Sequence, residues 1–213
     1  MGAGRRLYDA TWGRVFASIY ERALAESEDA GMRERRRELL AGARGRTVEL
    51  GAGTGLNFAH YPDAVDELIL TEPFPPMAKQ LRERAGEGAT VVEAPADRLP
   101  LPDGAADTVV STLVLCTVDD VPATLAEVAR VLRPGGRLLF AEHVRSEDPD
   151  LARWQDRLMR PWKFVGHGCR CNRDTLAAIS ASPLEVESVE HGAIPKAAPI
   201  VRPLIVGSAR RPG

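Results

Sequence analysis

Cysteine is scarce: Cys116, Cys169 and Cys171 are the only three in 213 residues. So sparse and odd a set does not build the disulfide framework of a small secreted domain. Long hydrophobic runs are missing too. None approaches the ~20 residues that cross a bilayer, so no membrane span is expected. Residues 1–6 carry neither the apolar stretch nor the cleavage site of a secretory signal. Gly2 opens no myristoylation motif, because position 6 is Arg. A cytoplasmic chain is the expectation. An excess of one charge is also lacking. The net charge of -2 implies no polyanion partner. The one basic cluster, between Arg33 and Arg46, is interrupted by Glu34 and Glu38 at helical spacing. It reads as a solvated helix face rather than a nucleic-acid surface. No internal repeat or low-complexity tract divides the chain.

What is present suits one globular core. Hydrophobic residues make up 44% of the chain, and its length is too short for two comfortable domains. A single domain over residues 1–213 is therefore expected. It divides into a helical lid (1–45), a cofactor-binding core (46–145), and a substrate loop with C-terminal strands (146–213). From Leu7 to about Leu40, apolar residues recur at spacings of three and four, among them Trp12, Phe16, Ile19 and Tyr20. Gly31 divides that run into two helices. Its aromatic face either packs on the core or covers a site as a lid.

Beyond it the period changes. Strands are expected at residues 47–50, 67–71, 90–93, 108–115 and 137–141, with helices at 76–85 and 121–132 between them. Alternation of this kind implies right-handed βαβ units and a parallel sheet. Residues 150–171, rich in Trp, Arg and Gly, read as an insertion-like loop. Asn172 reads as the N-cap of a helix through Ser180. Two last strands, 184–190 and 200–208, follow without a helix between them, which brings an antiparallel strand into the sheet. The fold class is thus α/β: a doubly wound, mostly parallel seven-stranded sheet with an N-terminal helical lid.

The turn Val48-Glu49-Leu50-Gly51-Ala52-Gly53-Thr54-Gly55 lies where a strand runs into a helix. Glycines there reach positive φ and let the backbone approach a ligand. A dinucleotide fingerprint wants its third glycine five residues after the first, and that position is Leu56. The even spacing of Gly51, Gly53 and Gly55 instead resembles the cofactor loop of class I S-adenosylmethionine-dependent methyltransferases. Glu72, about twenty residues on, is placed to accept hydrogen bonds from both ribose hydroxyls. Pro73, Phe74 and Met77 offer apolar surface for adenine. In residues 94–103 the resemblance assigns the adenine edge to the backbone near Ala96 and to the Asp97 carboxylate. Thr112-Leu113 and residues 132–136 match the family's fourth strand and the turn before its fifth. Glu49, Ala52, Asn57, Thr112 and Leu113 join the cofactor-binding set through the same matches.

A narrower resemblance spans roughly residues 48–207. Residues 112–118, Val131-Leu132-Arg133-Pro134-Gly135-Gly136, Glu142-His143-Val144 and Gly168-Cys169, with Asn57-Phe58 and Tyr61-Pro62, are similar to the methyltransferase-like 7 branch. That branch methylates thiols, which implies a small-molecule thiol or dithiol as partner here. It departs at the N-terminus, where the branch carries a hydrophobic anchor that this sequence does not match.

Thiol methylation is chemically undemanding. A thiolate meeting a sulfonium neutralises charge, so an apolar pocket favours the transition state. A thiol of pKa ~8.5 is already a few per cent ionised at neutral pH. His143, after the fifth strand, is the candidate base. His167 is a second candidate. Substrate contacts are expected from Tyr8, Trp12, Phe16 and Tyr20 on the lid, from Trp162 and Cys169 on the loop, and from Cys116 at the fourth strand's end. Arg170 or Arg173 would meet an acidic substrate group. His167, Cys169 and Cys171 present soft ligands close together, but no second ligand cluster accompanies them, so no metal is expected. N- or O-methylation on the same scaffold, and a non-catalytic cofactor-binding regulator, are the alternatives. A monomer is the simplest assumption.

Overall fold

The structure is a computed structural model describing residues 8–213. The readings for Leu7, the absent signal peptide and Gly2 lie outside the described residues. Seven strands are present: β1 Gly45–Leu50, β2 Val65–Thr71, β3 Thr90–Val92, β4 Ala106–Thr112, β5 Leu132–His143, β6 Glu185–Ala193 and β7 Pro203–Arg210. They form one sheet in the order β3-β2-β1-β4-β5-β7-β6. Pairing is parallel from β3 across to β5 and antiparallel where β7 enters between β5 and β6. The order reverses between β1 and β4, and ligands bind such sheets in the crevice beyond the carboxyl ends of the strands at that point. Val109 and Val110 on β4 are fully buried, as a central strand covered on both faces requires.

The helices are α1 Arg14–Ser27, α2 Arg33–Leu40, α3 Pro75–Ala85, α4 Val121–Val131, α5 Pro149–Val165 and α6 Thr175–Ser180. Wide π turns, Asp9–Gly13 and Glu28–Met32, flank α1. Gly31 breaks the run with φ +129°, as its position implied. α4 begins where the Asp120 carboxylate accepts the Ala123 N–H at 2.9 Å. Among the described residues no helix is long and apolar enough to cross a membrane.

Three local expectations are corrected. Residues 149–165 form a helix, not a loop. Asp148 caps it by accepting the Asp150 N–H at 2.9 Å, and Pro149 starts it at its first position. Leu151, Met159 and Trp162 share the face that packs on Cys116, Cys169, Cys171, Ile200 and Val201. The dense charge on the other face and the internal Pro161 obscured that stripe. The cap of α6 is Asp174, which accepts the Ala177 N–H at 3.0 Å; Asn172 instead donates to Asp156. Finally, β4 ends at Thr112 rather than Leu115. Leu113 turns to φ +59°, and the buried Glu142 carboxylate accepts the next N–H groups, Val114 at 3.0 Å and Leu115 at 3.1 Å. Those donors are lost to the strand ladder.

Candidate active site

A cavity of about 1660 Å³ opens beyond the carboxyl ends of β1 to β5, beneath α1. The turns after successive strands line it: Gly51 and Gly53, then Glu72 and Pro73, Ala96 and Asp97, Leu113, Val114 and Cys116 to Asp119, and His143 at the end of β5. That volume exceeds the ~300–1,000 Å³ of a single small-molecule pocket, so it has room for two ligands.

The glycine turn forms one wall. Gly51 and Gly53 adopt φ +49° and +59°, which L side chains resist. A Cβ on Gly51 would lie 3.1 Å from both Val114 methyls. The Tyr20 ring of α1 covers the turn, 3.7 Å from where a Gly53 Cβ would sit. Burial pushes the Tyr20 phenol up to about 12, so it stays protonated. Glu72 is held by two backbone donors, the Gly53 N–H at 2.9 Å and the Phe74 N–H at 2.8 Å. Burial pushes its carboxyl up to about 7, against the pull of those two hydrogen bonds. Met77 is buried behind it, whereas Pro73 and Asp97 are exposed at the rim.

Other expected cofactor residues face elsewhere. Asn57 donates to Glu49 at 2.8 Å and to Thr112 at 2.7 Å, and Tyr61 donates to Glu49 at 2.7 Å. Arg36 donates to the Asn57 side-chain amide oxygen Oδ1 at 3.0 Å and to the Glu28 carboxylate at 3.0 Å. Glu49, Asn57 and Thr112 therefore brace the turn through a buried network reaching the lid, rather than lining the cavity. Ala52 is bonded back to Thr71, and Gly55 makes room for Leu81 of α3, whose Cδ1 lies 2.9 Å from a hypothetical Cβ.

The opposite wall draws side chains from three separate connections. His143 ends β5, Cys116 follows β4, and Cys169 follows α5. His143 Nε2 lies 2.8 Å from Cys169 Sγ, and the Trp162 indole N–H donates to the same sulfur at 3.0 Å. The donor atoms of Cys116, His143 and Cys169 all lie within 4.8 Å of one another. The neighbouring Cys116 thiol, which itself donates to the Leu113 carbonyl at 3.4 Å, holds the Cys169 thiol well below its usual range, against burial and with help from His143 and Trp162. Proximity to Cys169, with burial, pushes the Cys116 thiol up. His143 Nδ1 is buried without a hydrogen-bond partner among the described residues. Cys171 stands apart, its thiol donating to Gln155 O at 3.5 Å.

The lid and α5 meet over this wall. Tyr8 and Trp12 donate to the carbonyls of Phe164 at 2.6 Å and Val165 at 3.1 Å. Trp12, Phe16 and Tyr20 reach the cavity, whereas Tyr8 serves to fasten the lid. His167, at φ +48°, stacks on Phe16 with ring centroids 5.2 Å apart and lies 4.7 Å from the Phe74 ring. It lines the cavity as a packing hub of the lid, with its Nε2 3.6 Å from the Asp9 carboxylate. Arg170 pairs with Asp119, and Arg173 donates to the carbonyls of Leu115 and Val118. Arg173 thus secures the loop carrying Cys116 rather than reading a substrate anion. Sequence reasoning missed Arg36 altogether, and it missed the roles of Glu142 and Arg173 as braces of the turn after β4. The signal for Glu142 was a carboxylate within an apolar strand.

A sheet of this order with a glycine turn, a ribose-type carboxylate and a ligand cavity beyond its strands defines a methyltransferase of the class I type. The family model for a methyltransferase domain matches residues 48–140. The human thiol S-methyltransferase TMT1B is 40% identical over 167 residues, 71% of this chain and 68% of that protein. Human thiol S-methyltransferase TMT1A is 34% identical over 193 residues, 84% of this chain and 79% of that protein. The crystal structure of a SAM-dependent methyltransferase from Thermotoga maritima shares the fold at TM-score 0.70 and 22% identity, covering 94% of this chain and 98% of that one. The chain belongs to the S-adenosylmethionine-dependent methyltransferases of class I, in the branch of the TMT1 proteins.

Proposed function

We propose that this enzyme transfers a methyl group from S-adenosylmethionine to a small-molecule thiol. The observation that carries the reading is the shared cavity: the glycine turn and Glu72 on one side, Cys116, His143 and Cys169 on the other. The names of the relatives agree with it. The residues present fit the cofactor. Gly51 and Gly53 offer bare backbone at positive φ, and Glu72 keeps unused acceptor capacity toward the cavity. Bound S-adenosylmethionine supplies a methyl group made electrophilic by its sulfonium.

The chain does the rest. Glu72 would accept from the ribose hydroxyls and Phe74, Met77 and Ala96 would hold the adenine, while Tyr20 covers the glycine turn. The acceptor enters the apolar half of the cavity between Trp162, Phe16 and His143, and its thiol loses its proton at the cluster of His143 and the two cysteines. Apolar walls disfavour separated charge, so they favour the approach of a thiolate to a sulfonium.

The test is a product assay with labelled S-adenosylmethionine, with alkyl, aryl and dithiol acceptors beside matched amines and phenols. Thiol products, lost in His143→Ala while binding of S-adenosylhomocysteine stays within about threefold of the parent, are expected. Transfer only to amines or phenols would overturn the choice of acceptor.

A further inference from the structure

Cysteine and histidine so close together, and so deeply buried in a cavity wall, have a further use. We propose that Cys116, His143 and Cys169 hold a soft divalent cation, zinc by its donor set, with one position open to the cavity where the acceptor thiol ligates. This deepens the thiol reading above and rests on it for the identity of the open-position ligand.

The donor chemistry comes first. Two thiolates and one imidazole suit zinc, and a zinc ion with three protein ligands keeps a fourth position for substrate, a pattern that includes the Cys2His set. Geometry agrees. Zn–S near 2.3 Å and Zn–N near 2.0 Å put tetrahedral donors roughly 3.5 Å apart. The three donor atoms here already lie within 4.8 Å of one another. The one close contact, 2.8 Å between His143 and Cys169, needs to open by less than about 1 Å to admit the ion.

The ligands are also held. Cys116, His143 and Cys169 are 1%, 4% and 8% exposed. The carbonyl of Cys116 accepts the Arg170 N–H at 2.9 Å, and the turn before it is clamped by Glu142. His143 is fixed by pairing of β5 with Leu204 of β7. The indole N–H of Trp162 on Cys169 Sγ is the outer-layer hydrogen bond that metal-bound sulfur takes. All three ligands line the cavity that carries Gly51 and Glu72, so the open position faces the methyl donor.

Charge then closes the argument. A divalent cation with two cysteine thiolates is neutral. The acceptor R–SH binds as RS⁻ and its proton leaves to water, so the site becomes singly negative opposite a positive sulfonium. A lone pair on the acceptor sulfur forms the new S–CH3 bond. The old bond from methyl to the cofactor sulfur breaks, and its electron pair stays there, leaving a neutral thioether. The methylated acceptor is also a neutral thioether, a weaker ligand than a thiolate, and it departs.

The test is metal binding, read apart from turnover. Protein purified without chelator is expected to carry about one zinc per chain, and cobalt(II) exchanged into it to show tetrahedral bands with sulfur-to-cobalt charge transfer. Cys116→Ser and Cys169→Ser lose the charge transfer. Cys171→Ala, outside the cluster, keeps it, and Trp162→Phe weakens cobalt binding about tenfold. Thermal melts of each variant separate loss of metal from loss of fold. Adding 2-mercaptoethanol shifts the cobalt spectrum, and its methyl thioether does not. Thiol methylation by protein that binds neither zinc nor cobalt would overturn the inference and leave the proposed function intact. So would a Cys116–Cys169 disulfide formed quantitatively in zinc-supplemented protein. A thiol-sensitive cobalt spectrum in an enzyme that methylates only amines or phenols would do the reverse, retiring the acceptor and keeping the cation.

Discussion

Removing the Glu72 carboxylate tests the cofactor half of the site most directly. Glu72 is 5% exposed and already accepts two backbone N–H groups, so its remaining lone pairs are fixed in direction. Two ribose hydroxyls donating to a charged acceptor contribute about 3 kcal/mol at the low end, or roughly a hundredfold in affinity. Glu72→Ala should lose that much, measured by calorimetric titration with S-adenosylhomocysteine, which cannot react. The parent protein carries a second signature. Burial sets the Glu72 carboxyl at about 7 in the ligand-free protein. Hydroxyl donors favour the ionised form, so binding drives off a proton whenever Glu72 starts protonated. Affinity is therefore full above pH 7 and falls as pH falls through it. For one group titrating there, the loss from pH 8 to pH 6 is about tenfold. Glu72→Gln should bind weakly and without this pH dependence. An alanine variant binding within about twofold of the parent, or a parent affinity flat from pH 6 to 8, would refute the assignment.

Three further outcomes follow from the packing. Arg36→Ala strands the Glu28 carboxylate, whose side chain is 9% exposed. A loss of about 3–5 kcal/mol is expected, seen as a fall of roughly 10 °C in Tm. Arg36→Met with Glu28→Leu should recover most of it. Gly51→Ala places a Cβ 3.1 Å from the Val114 methyls at φ +49°. Backbone strain of about 1–2 kcal/mol leaves the fold standing, while titration with S-adenosylhomocysteine should show weakened binding. Glu142→Ala deprives the Val114 and Leu115 N–H groups and the Ser111 hydroxyl of their common acceptor. At about 1–3 kcal/mol for each buried group left unpaired, the chain should melt earlier and exchange amide hydrogens at residues 113–116 much faster.

The local part of this architecture was legible because it depends on neighbours in the chain. Hydrophobic period separated strands from helices, and the spacing of Gly51, Gly53 and Gly55 distinguished this turn from a dinucleotide fingerprint before any coordinate was known. The strands followed their apolar runs except at the end of β4, at the start of β5, which begins at Leu132, and at the start of β7, where Pro199–Val201 form a 3-10 turn and the strand begins at Pro203. At the end of β4 a carboxylate from β5, 28 residues beyond Val114 in the chain, captured the backbone, and no window around Leu113 contains that information. Residues 149–165 failed for a different reason. Their apolar face is short-stepped and set among charges, and Pro161 argued against a helix that tertiary packing on Cys169 and Val201 stabilises.

The site divides along the same line. Gly51, Gly53, Glu72, Ala96 and Asp97 follow directly on strands of a parallel sheet, so topology alone delivers them to one crevice. Glu49, Asn57 and Thr112 sit in the same motifs, yet their side chains point into a buried network with Arg36, a choice made by which face of the turn the lid covers. The soft ligands were sought within one short segment around His167, where the sequence shows none that close a site. Folding instead gathers Cys116, His143 and Cys169 from three connections, leaves Cys171 aside, and stacks His167 into the lid. By itself the sequence determined the fold class, through the alternation of strand and helix periods, and the family, through the resemblance of its motifs to those of known members. Only the tertiary structure decided which histidine and which cysteines come together on the cavity wall, because that depends on where the ends of β4, β5 and α5 meet in space.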